Sequence, residues 1–510
     1  MPLVMGIDIG TSGCKTVLVR QDGSVAASAF ADYPLYSERH GWSEQDPADW
    51  WDAAKETIRL VLAAVPGAPG ELSGIGLTGQ MHGLVALDDG HQVLRRSILW
   101  NDSRTGAQCA EITDRARGLE GLLSVTNNQM LPGYTGGKIL WLAQKEPETH
   151  KRMHTFLNPK DYLRLQLTGE VATEVSDASG TGMFNVAGRT WAPELLDIVG
   201  LSPETAPKAY ESTETTGVLR DSVAKELGLP SGLPVVGGGG DAVIQTLGTG
   251  VTTSDVLMTT IGTSGIVSTA LDDFKANPGG RIQVFCNVIP GTWHAMGVTL
   301  SAGASLKWAR ELFGSSEQEV ARALGEDVYD LISREVAQSP IGSRGLFFLP
   351  YINGERCPYS DPHARGAFIG LTLGTRKGDL YRSVMEGVTL SLRDAGTIFD
   401  DMGMDFDLIR TSGGGAQSPI WRQIHADVFR LPVETLSGSR EGAAYGAAMV
   451  AGVGLDLWAS FDEIVGLLTV ETMTEASDAA ADRYDQLFPI YQSYYGLLKS
   501  GFERIAELEV

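Results

Sequence analysis

The pentapeptide Ile-Gly-Thr-Ser-Gly occurs twice in this chain, at residues 9–13 and 261–265, each time after an apolar run. In the first copy, Asp8-Ile9-Gly10-Thr11-Ser12-Gly13-Cys14-Lys15, the two glycines let main-chain amides approach a ligand with no side chain in the way. Successive N–H groups and the hydroxyls of Thr11 and Ser12 form a nest for an anion. Lys15 begins the returning strand and can reach a phosphate oxygen. Asp8 ends the entering strand, placed to hold a divalent metal through water. Magnesium takes hard oxygen ligands and keeps several of its waters, so one or two carboxylates suffice. A lone GTSG is an ordinary tight hairpin; repetition shifts the expectation to two turns gripping the phosphates of one nucleotide. The second copy, with Gly262 and Thr263, has Thr260 where the first has Asp8 and Val267 where it has Lys15. It keeps the turn and drops both charges. No GxxxxGK[ST] is present, so a P-loop is not supported.

Asp241 follows four glycines at the end of an apolar strand. Such an aspartate either caps a helix or, approached through backbone without side chains, takes the proton of a substrate hydroxyl as the alcohol attacks phosphorus. A third glycine cluster, Ser412 to Ser418 with Gly414, Gly415 and Ala416, follows the apolar run Phe406–Ile409 and precedes a helix expected over Pro419–Phe429. Ser418 suits its N-cap and Pro419 its first turn. A strand feeding a glycine turn and a helix start suits a phosphate or a flat base. Gln80-Met81-His82-Gly83 and Trp100-Asn101-Asp102-Ser103-Arg104 each follow a strand, and their polar groups suit a polyhydroxylated ligand. A buried structural histidine is the commoner role for His82. No HxxxH or Cys/His cluster accompanies it, so zinc is not expected. Glu441 to Ala448 is a helix of small residues suited to close packing.

The elements that must position these groups alternate between strand and helix. Met5–Ile9, Cys14–Val19 and Val25–Phe30 read as antiparallel strands, with Asp22-Gly23 a hairpin turn. A helix begins at Pro47, capped by Asp46, and Ile75–Thr78 is a further strand. Strands and helices in this order indicate an α/β sheet layered with helices. Val256–Ile261 and Ile266–Thr269 repeat the opening theme. The expectation is a duplicated fold, halves 1–246 and 247–510, with the ligand in the cleft between them. The Gly/Pro-dense stretch 229–253 is the candidate junction, with hinge freedom near Gly237. At 510 residues two domains are the prior. A net charge of −23 argues against nucleic acid or anionic membrane as partner. The four cysteines share no metal-ligand spacing, the N-terminus carries no basic leader, and no apolar stretch reaches transmembrane length. A cytoplasmic protein with free thiols is therefore expected.

At this point the chain resembles the FGGY sugar kinases, in particular those acting on D-xylulose. The matching stretches are GIDIGTSGCK, GWSEQDPADWW, GQMHG, ILWNDSR, LPGYTGGKILWL, NPKDYLRLQLTGE, GGGGD, IGTSG, LPYINGERCP and SGGGAQSPIWRQIHADV. They run from residue 6 to beyond 440. The resemblance implies two ribonuclease-H-like domains of the actin/hexokinase type closing over MgATP and an open-chain ketose. The sugar and first phosphate loop would belong to 1–246 and the nucleotide to 247–510. By matching position it implies Asp241 as catalytic base and Asp8 with Asp241 beside the Mg2+. It implies Gly10, Thr11, Ser12 and Lys15 as the first phosphate loop and Gly262 with Thr263 as the second. Gly303, Gly414, Gly415 and Ala416 fall on the nucleotide side, and Met81, His82, Trp100 and Tyr134 face the sugar. The implied reaction yields D-xylulose 5-phosphate and ADP, and a homodimer is a family-level expectation.

One departure stands out. Xylulose-phosphorylating members usually carry Asn or Gln after the catalytic aspartate; here it is Ala242, with Gln245 three residues on. Ribulose, another pentulose, glycerol or gluconate therefore remain alternative substrates. A non-catalytic ATP-binding clamp of actin-like fold is a second class, though it has no need of a carboxylate facing an acceptor. A nicotinamide dehydrogenase is disfavoured because no GxGxxG opens a helix after the first strand.

Overall fold

The computed structural model describes residues 1–437 and 441–508. The chain forms two compact units. Unit 1 gathers Met1–Thr252, Ala270–His294 and Glu441–Thr469; unit 2 gathers Thr253–Thr269, Ala295–Arg440 and Val470–Val510. Three separate stretches thus build the first unit.

In unit 1, β1 (Leu3–Ile9), β2 (Gly13–Arg20), β3 (Val25–Asp32), β4 (Leu72–Gly79), β5 (Thr215–Val218) and β6 (Pro234–Val236) form a mixed sheet in the order β5-β6-β4-β1-β2-β3. A two-residue strand, β7 (Gly239–Gly240), also pairs with β4. β1 runs antiparallel to β2 and parallel to β4. Hydrophobic residues on β1 and β4, among them Met5, Ile7, Ile75 and Leu77, are fully buried. The Asp22-Gly23 turn closes through Gly23 N–H donating to the Arg20 carbonyl at 2.9 Å. The helix Pro47–Ala64 starts as its residues dictate: Asp46 accepts from the Ala48 amide and Pro47 fills the first turn.

The small-residue helix Ala443–Gly454 lies directly on this sheet. A Cβ on Gly6 would stand 2.0 Å from the Ala444 carbonyl oxygen, and one on Gly76 1.9 Å from that of Ala447. Close packing is therefore what its composition serves.

The junction expected over 229–253 contains the change of unit, though its four glycines 237–240 are not the point of change. They are buried inside unit 1, between β6 and the helix Asp241–Gly248, and the units change only after Thr252. Hydrogen bonds from Gly237, Gly238 and Gly240 tie the run to its surroundings within unit 1.

Unit 2 repeats the theme. β8 (Val256–Ile261), β9 (Gly265–Leu271), β10 (Leu408–Ser412), β11 (Val433–Leu436) and β12 (Val470–Thr474) are hydrogen-bonded in the order β9-β8-β10-β11-β12. β10 begins two residues later than the apolar run Phe406–Ile409 and carries through to Ser412. The helix Pro419–Phe429 starts where its cap places it, with Ser418 accepting from the Trp421 amide. Among the described residues no helix is long and apolar enough to cross a membrane, and all four cysteines are buried.

Candidate active site

Sheet register brings the two carboxylates together. Asp8 on β1 and Gly239 on β7 both pair with Thr78; Ile9 and Gly240 both pair with Gly79. β1 and β7 therefore flank β4 at the same level, about 9–10 Å apart across two strand spacings. Asp241 follows Gly240 at once and opens the helix Asp241–Gly248.

Its carboxylate accepts from the Ala242 amide at 2.8 Å and from the Met81 amide. A helix N-terminus favours the negative charge; Asp241 is the first helical residue, with Gly240 at the N-cap position. Burial nevertheless pushes the Asp241 carboxyl up to about 6, against those amides. Asp8 is pushed up to about 7, by burial first and then by repulsion from Asp241, with Lys15 pulling the other way. Asp8 Oδ1 is enclosed without a hydrogen-bond donor. Two mutually repelling carboxylates with an enclosed, donor-free oxygen fit a hard divalent cation, and Mg2+ needs no more protein ligands than these.

The first glycine turn is held from four sides. Gly10 N–H donates to the Gly13 carbonyl at 3.1 Å. The Gly10 carbonyl accepts from Tyr33 Oη and from Gln80 Nε2, and the Thr11 carbonyl from Gln45 Nε2 at 2.8 Å. Gln45 Oε1 in turn receives Gln80 Nε2 at 2.8 Å and Trp50 Nε1 at 3.0 Å. Trp100 Nε1 donates to Thr11 Oγ1 at 2.8 Å. Ser12 stays exposed at the tip. Lys15 pairs with Glu441 at 2.6 Å, a carboxylate that also accepts from Ser28.

Met81 is buried against the glycine run: a Cβ on Gly240 would stand 2.5 Å from its Cγ. His82 sits at φ 68°, the left-handed region, with Nδ1 2.6 Å from the Gly180 carbonyl. Its own carbonyl accepts from Thr135 Oγ1 and from Lys138 Nζ at 2.6 Å. Burial lowers the Lys138 ammonium to about 7, although the Asp102 charge opposes the shift. The His82 ring lies 4.6 Å from that of Tyr134 and 6.0 Å from that of Phe285. Tyr134 Oη accepts from Gln283 Nε2 at 2.9 Å. Trp100 is 39% exposed, so an indole face remains open beside the turn. Asp102 and Arg104, expected with Trp100 at a ligand, are instead bound to each other at 2.6 Å and buried, and Asp102 accepts the Ser43 amide. Their charges hold the Trp42–Glu44 segment.

Unit 2 assembles its own glycine cluster. Gly303 N–H donates to the Gly262 carbonyl at 2.6 Å, and the Thr263 carbonyl accepts from Ala302 and Ala304. A Cβ on Gly303 would stand 2.6 Å from the Gly262 oxygen. Gly413, at φ 87°, and Gly415 crowd Ile261 in the same way, and the turn Gly414–Gln417 includes buried Ala416. The second IGTSG is one residue tighter than the first: Ile261 pairs with Gly265, whereas Ile9 pairs with Cys14. Thr260 consequently faces Ile266 rather than Val267.

Tyr33, Gln45, Gln283 and Phe285 were not singled out by sequence. Gln45 lay within the GWSEQDPADWW stretch, which was its one available signal. Tyr33, Gln283 and Phe285 reach the site through contacts that no local pattern encodes.

Residues 3–248 match the N-terminal domain of the FGGY family of carbohydrate kinases, and residues 257–455 match its C-terminal domain. A xylulose kinase of Staphylococcus xylosus is 36% identical over 503 residues, covering 97% of this chain and 100% of that protein. The crystal structure of a xylulose kinase from Rhodospirillum rubrum superposes with a TM-score of 0.90 at 30% identity, covering 98% of this chain and 100% of that one. A gluconate kinase from Lactobacillus acidophilus superposes with a TM-score of 0.91 at 29% identity, covering 99% of each. With two α/β units of the actin/hexokinase type and both family domains in sequence, the chain belongs to the FGGY family of carbohydrate kinases.

Proposed function

We propose that this protein transfers the γ-phosphoryl group of ATP to a hydroxyl of an open-chain ketose, D-xylulose giving D-xylulose 5-phosphate and ADP. The observation that carries the proposal is Asp8 on β1 and Asp241 directly after β7, two strands that flank β4 at one level, with Asp241 opening a helix. Asp241 accepts the proton of the attacking hydroxyl, a role worth on the order of 10²–10⁴-fold in rate. Asp8 and Asp241 would hold Mg2+, which when bound supplies charge neutralisation at the transferred group. Gly10, Thr11, Ser12 and Lys15 serve the phosphates; Gly262, Thr263, Gly303, Gly414, Gly415 and Ala416 serve the nucleotide. Met81, His82, Trp100 and Tyr134 serve the sugar. Residues 1–246 then carry the sugar and first phosphate loop, and 247–510 the nucleotide. A cytoplasmic homodimer is the expected form, tested by light scattering.

A second reading has an observation behind it. Ala242 cannot hydrogen-bond a sugar hydroxyl, and the gluconate kinase likeness is as close in fold as the xylulose kinase likeness. A lost neutral hydrogen bond costs about 0.5–1.5 kcal/mol, enough to retune substrate preference without stopping the chemistry. A coupled ADP assay with MgATP against D-xylulose, D-ribulose, D-gluconate and glycerol decides. The highest kcat/KM on D-xylulose is expected; a tenfold preference for gluconate establishes the second reading. No turnover on any of them, with ATP still bound, leaves an ATP-binding clamp.

A further inference from the structure

Five ionisable side chains, all with 0% exposure, lie behind the glycine run that delivers Asp241. Lys160 Nζ stands 2.6 Å from Asp161 Oδ1, 3.1 Å from Asp177 Oδ2 and 3.4 Å from Glu174 Oε1, and Arg164 Nη2 stands 3.2 Å from Asp161. No step of the phosphoryl transfer uses them. Charges so fully buried are costly to maintain, so their bonds show what they hold.

Arg164 and Glu174 connect this cluster to Val236 and the run 237–240. Arg164 donates to the carbonyls of Val236 at 3.0 Å and Gly237 at 2.6 Å. Gly238 N–H donates to the Ser212 carbonyl at 2.9 Å, and Ser212 Oγ donates to Glu174 Oε2 at 3.0 Å. Gly240 N–H, one residue before the proposed base, donates to Ser176 Oγ at 2.9 Å. Ser176 Oγ in turn donates a hydrogen bond to Glu174 Oε1 at 2.8 Å. Glu174 also caps the helix Val175–Ser179, accepting from the amides of Ser176 and Asp177. Lys160 balances that carboxylate.

Four consecutive glycines have the freest backbone a chain can offer, yet a general base must sit within hydrogen-bond reach of its proton. A displacement near 1 Å costs on the order of 10²-fold. We propose that Glu174, acting through Ser176 and Ser212, is the positioning residue for Asp241: it clamps the glycine run so that the carboxylate is delivered at a fixed point. The proposal rests on Asp241 being the base.

The test compares the parent with Ser176→Ala, Ser176→Thr, Glu174→Gln and Asp241→Asn in the full-length protein. Ser176→Ala is expected to lower kcat by about 10–100-fold while KM for ATP stays within about twofold. Hydrogen exchange in the peptide spanning 237–240 should accelerate, and Ser176→Thr, which keeps the hydroxyl, should restore most of kcat. Glu174→Gln keeps shape but loses acceptors, and is expected to follow Ser176→Ala; it decides the matter if Ser176→Ala does not fold. Parent-like kcat or unchanged exchange in the folded variants overturns the clamp while an inactive Asp241→Asn leaves the base assignment standing. An active Asp241→Asn overturns both, and is distinguished by that variant alone.

Discussion

Trp100 Nε1 donates a 2.8 Å hydrogen bond to Thr11 Oγ1, joining an indole with an open face to the glycine turn between β1 and β2. Thr11 Oγ1 also stands 3.5 Å from Gln80 Oε1, its weaker acceptor, and Gln80 is bound to Gln45. The turn and the segment Gln80–Gly83 therefore share one hydrogen-bonded frame within unit 1. Whatever orders the indole also bears on the turn.

Trp100→Phe keeps the ring and removes that donor. Loss of one neutral hydrogen bond, about 0.5–1.5 kcal/mol, corresponds to roughly a 2–10-fold fall in kcat/KM. Steady-state kinetics with both substrates varied checks this, and thermal unfolding should be little changed.

Asp241→Asn is expected to lose at least about 100-fold in turnover while ADP affinity, measured by calorimetry, stays within a few-fold of the parent. Comparable turnover by the variant would place the base elsewhere.

The acid limb of activity has a stated cause. Burial pushes the Asp8 and Asp241 carboxyls up to about 7 and about 6 in the absence of a cation, and in the proposed mechanism both act ionised. Activity should fall as pH drops through this range, with a log-rate slope steeper than one. Raising Mg2+ should move the limb to lower pH, because a cation favours both carboxylates. A limb that ignores Mg2+ would separate the carboxylates from the metal.

The same two carboxyls set a stability trend. Each binds its proton more tightly folded than unfolded, since both are raised from 3.8. Their contribution is complete below about 4 and is lost as pH rises through about 6–7. Asp8→Asn at pH 8 in chelator should therefore melt higher than the parent, by at least about 2 °C. At pH 4 the gain should vanish.

Gly76→Ala should do the reverse. Its Cβ would meet the Ala447 carbonyl oxygen at 1.9 Å, and backbone cannot swing away as a side-chain end can. Overpacking of this kind costs typically 1–3 kcal/mol, read as a lower Tm with the same kinetics in whatever fraction folds.

Much of this was legible because it is local. Asp46 with Pro47 and Ser418 with Pro419 cap helices by rules that need only adjacent residues, and both turns sit at the ends of apolar strands. The helix Ala443–Gly454 could be recognised as a packing helix, but its berth on β1 and β4 lies far back along the chain, at Gly6 and Gly76. The grip of Arg164 and Ser176 on the glycine run spans 64–73 residues and ends on main-chain atoms, which carry no residue signature. The glycines show the same limit: composition reports intrinsic freedom, while the partners of their main-chain atoms lie far off in sequence. Asp102 and Arg104 were misjudged likewise, because two charges two residues apart can serve each other.

The most direct measurement is a single-turnover experiment with saturating MgATP and D-xylulose, following phosphorus-31 signals of the sugar product for the parent and Asp241→Asn side by side. A parent that forms sugar 5-phosphate with ADP in equal amount, beside a variant that binds ATP and forms almost none, is the predicted result. Product formed at similar rates by both proteins, or ADP released by the parent with no phosphorylated sugar, would contradict the central claim.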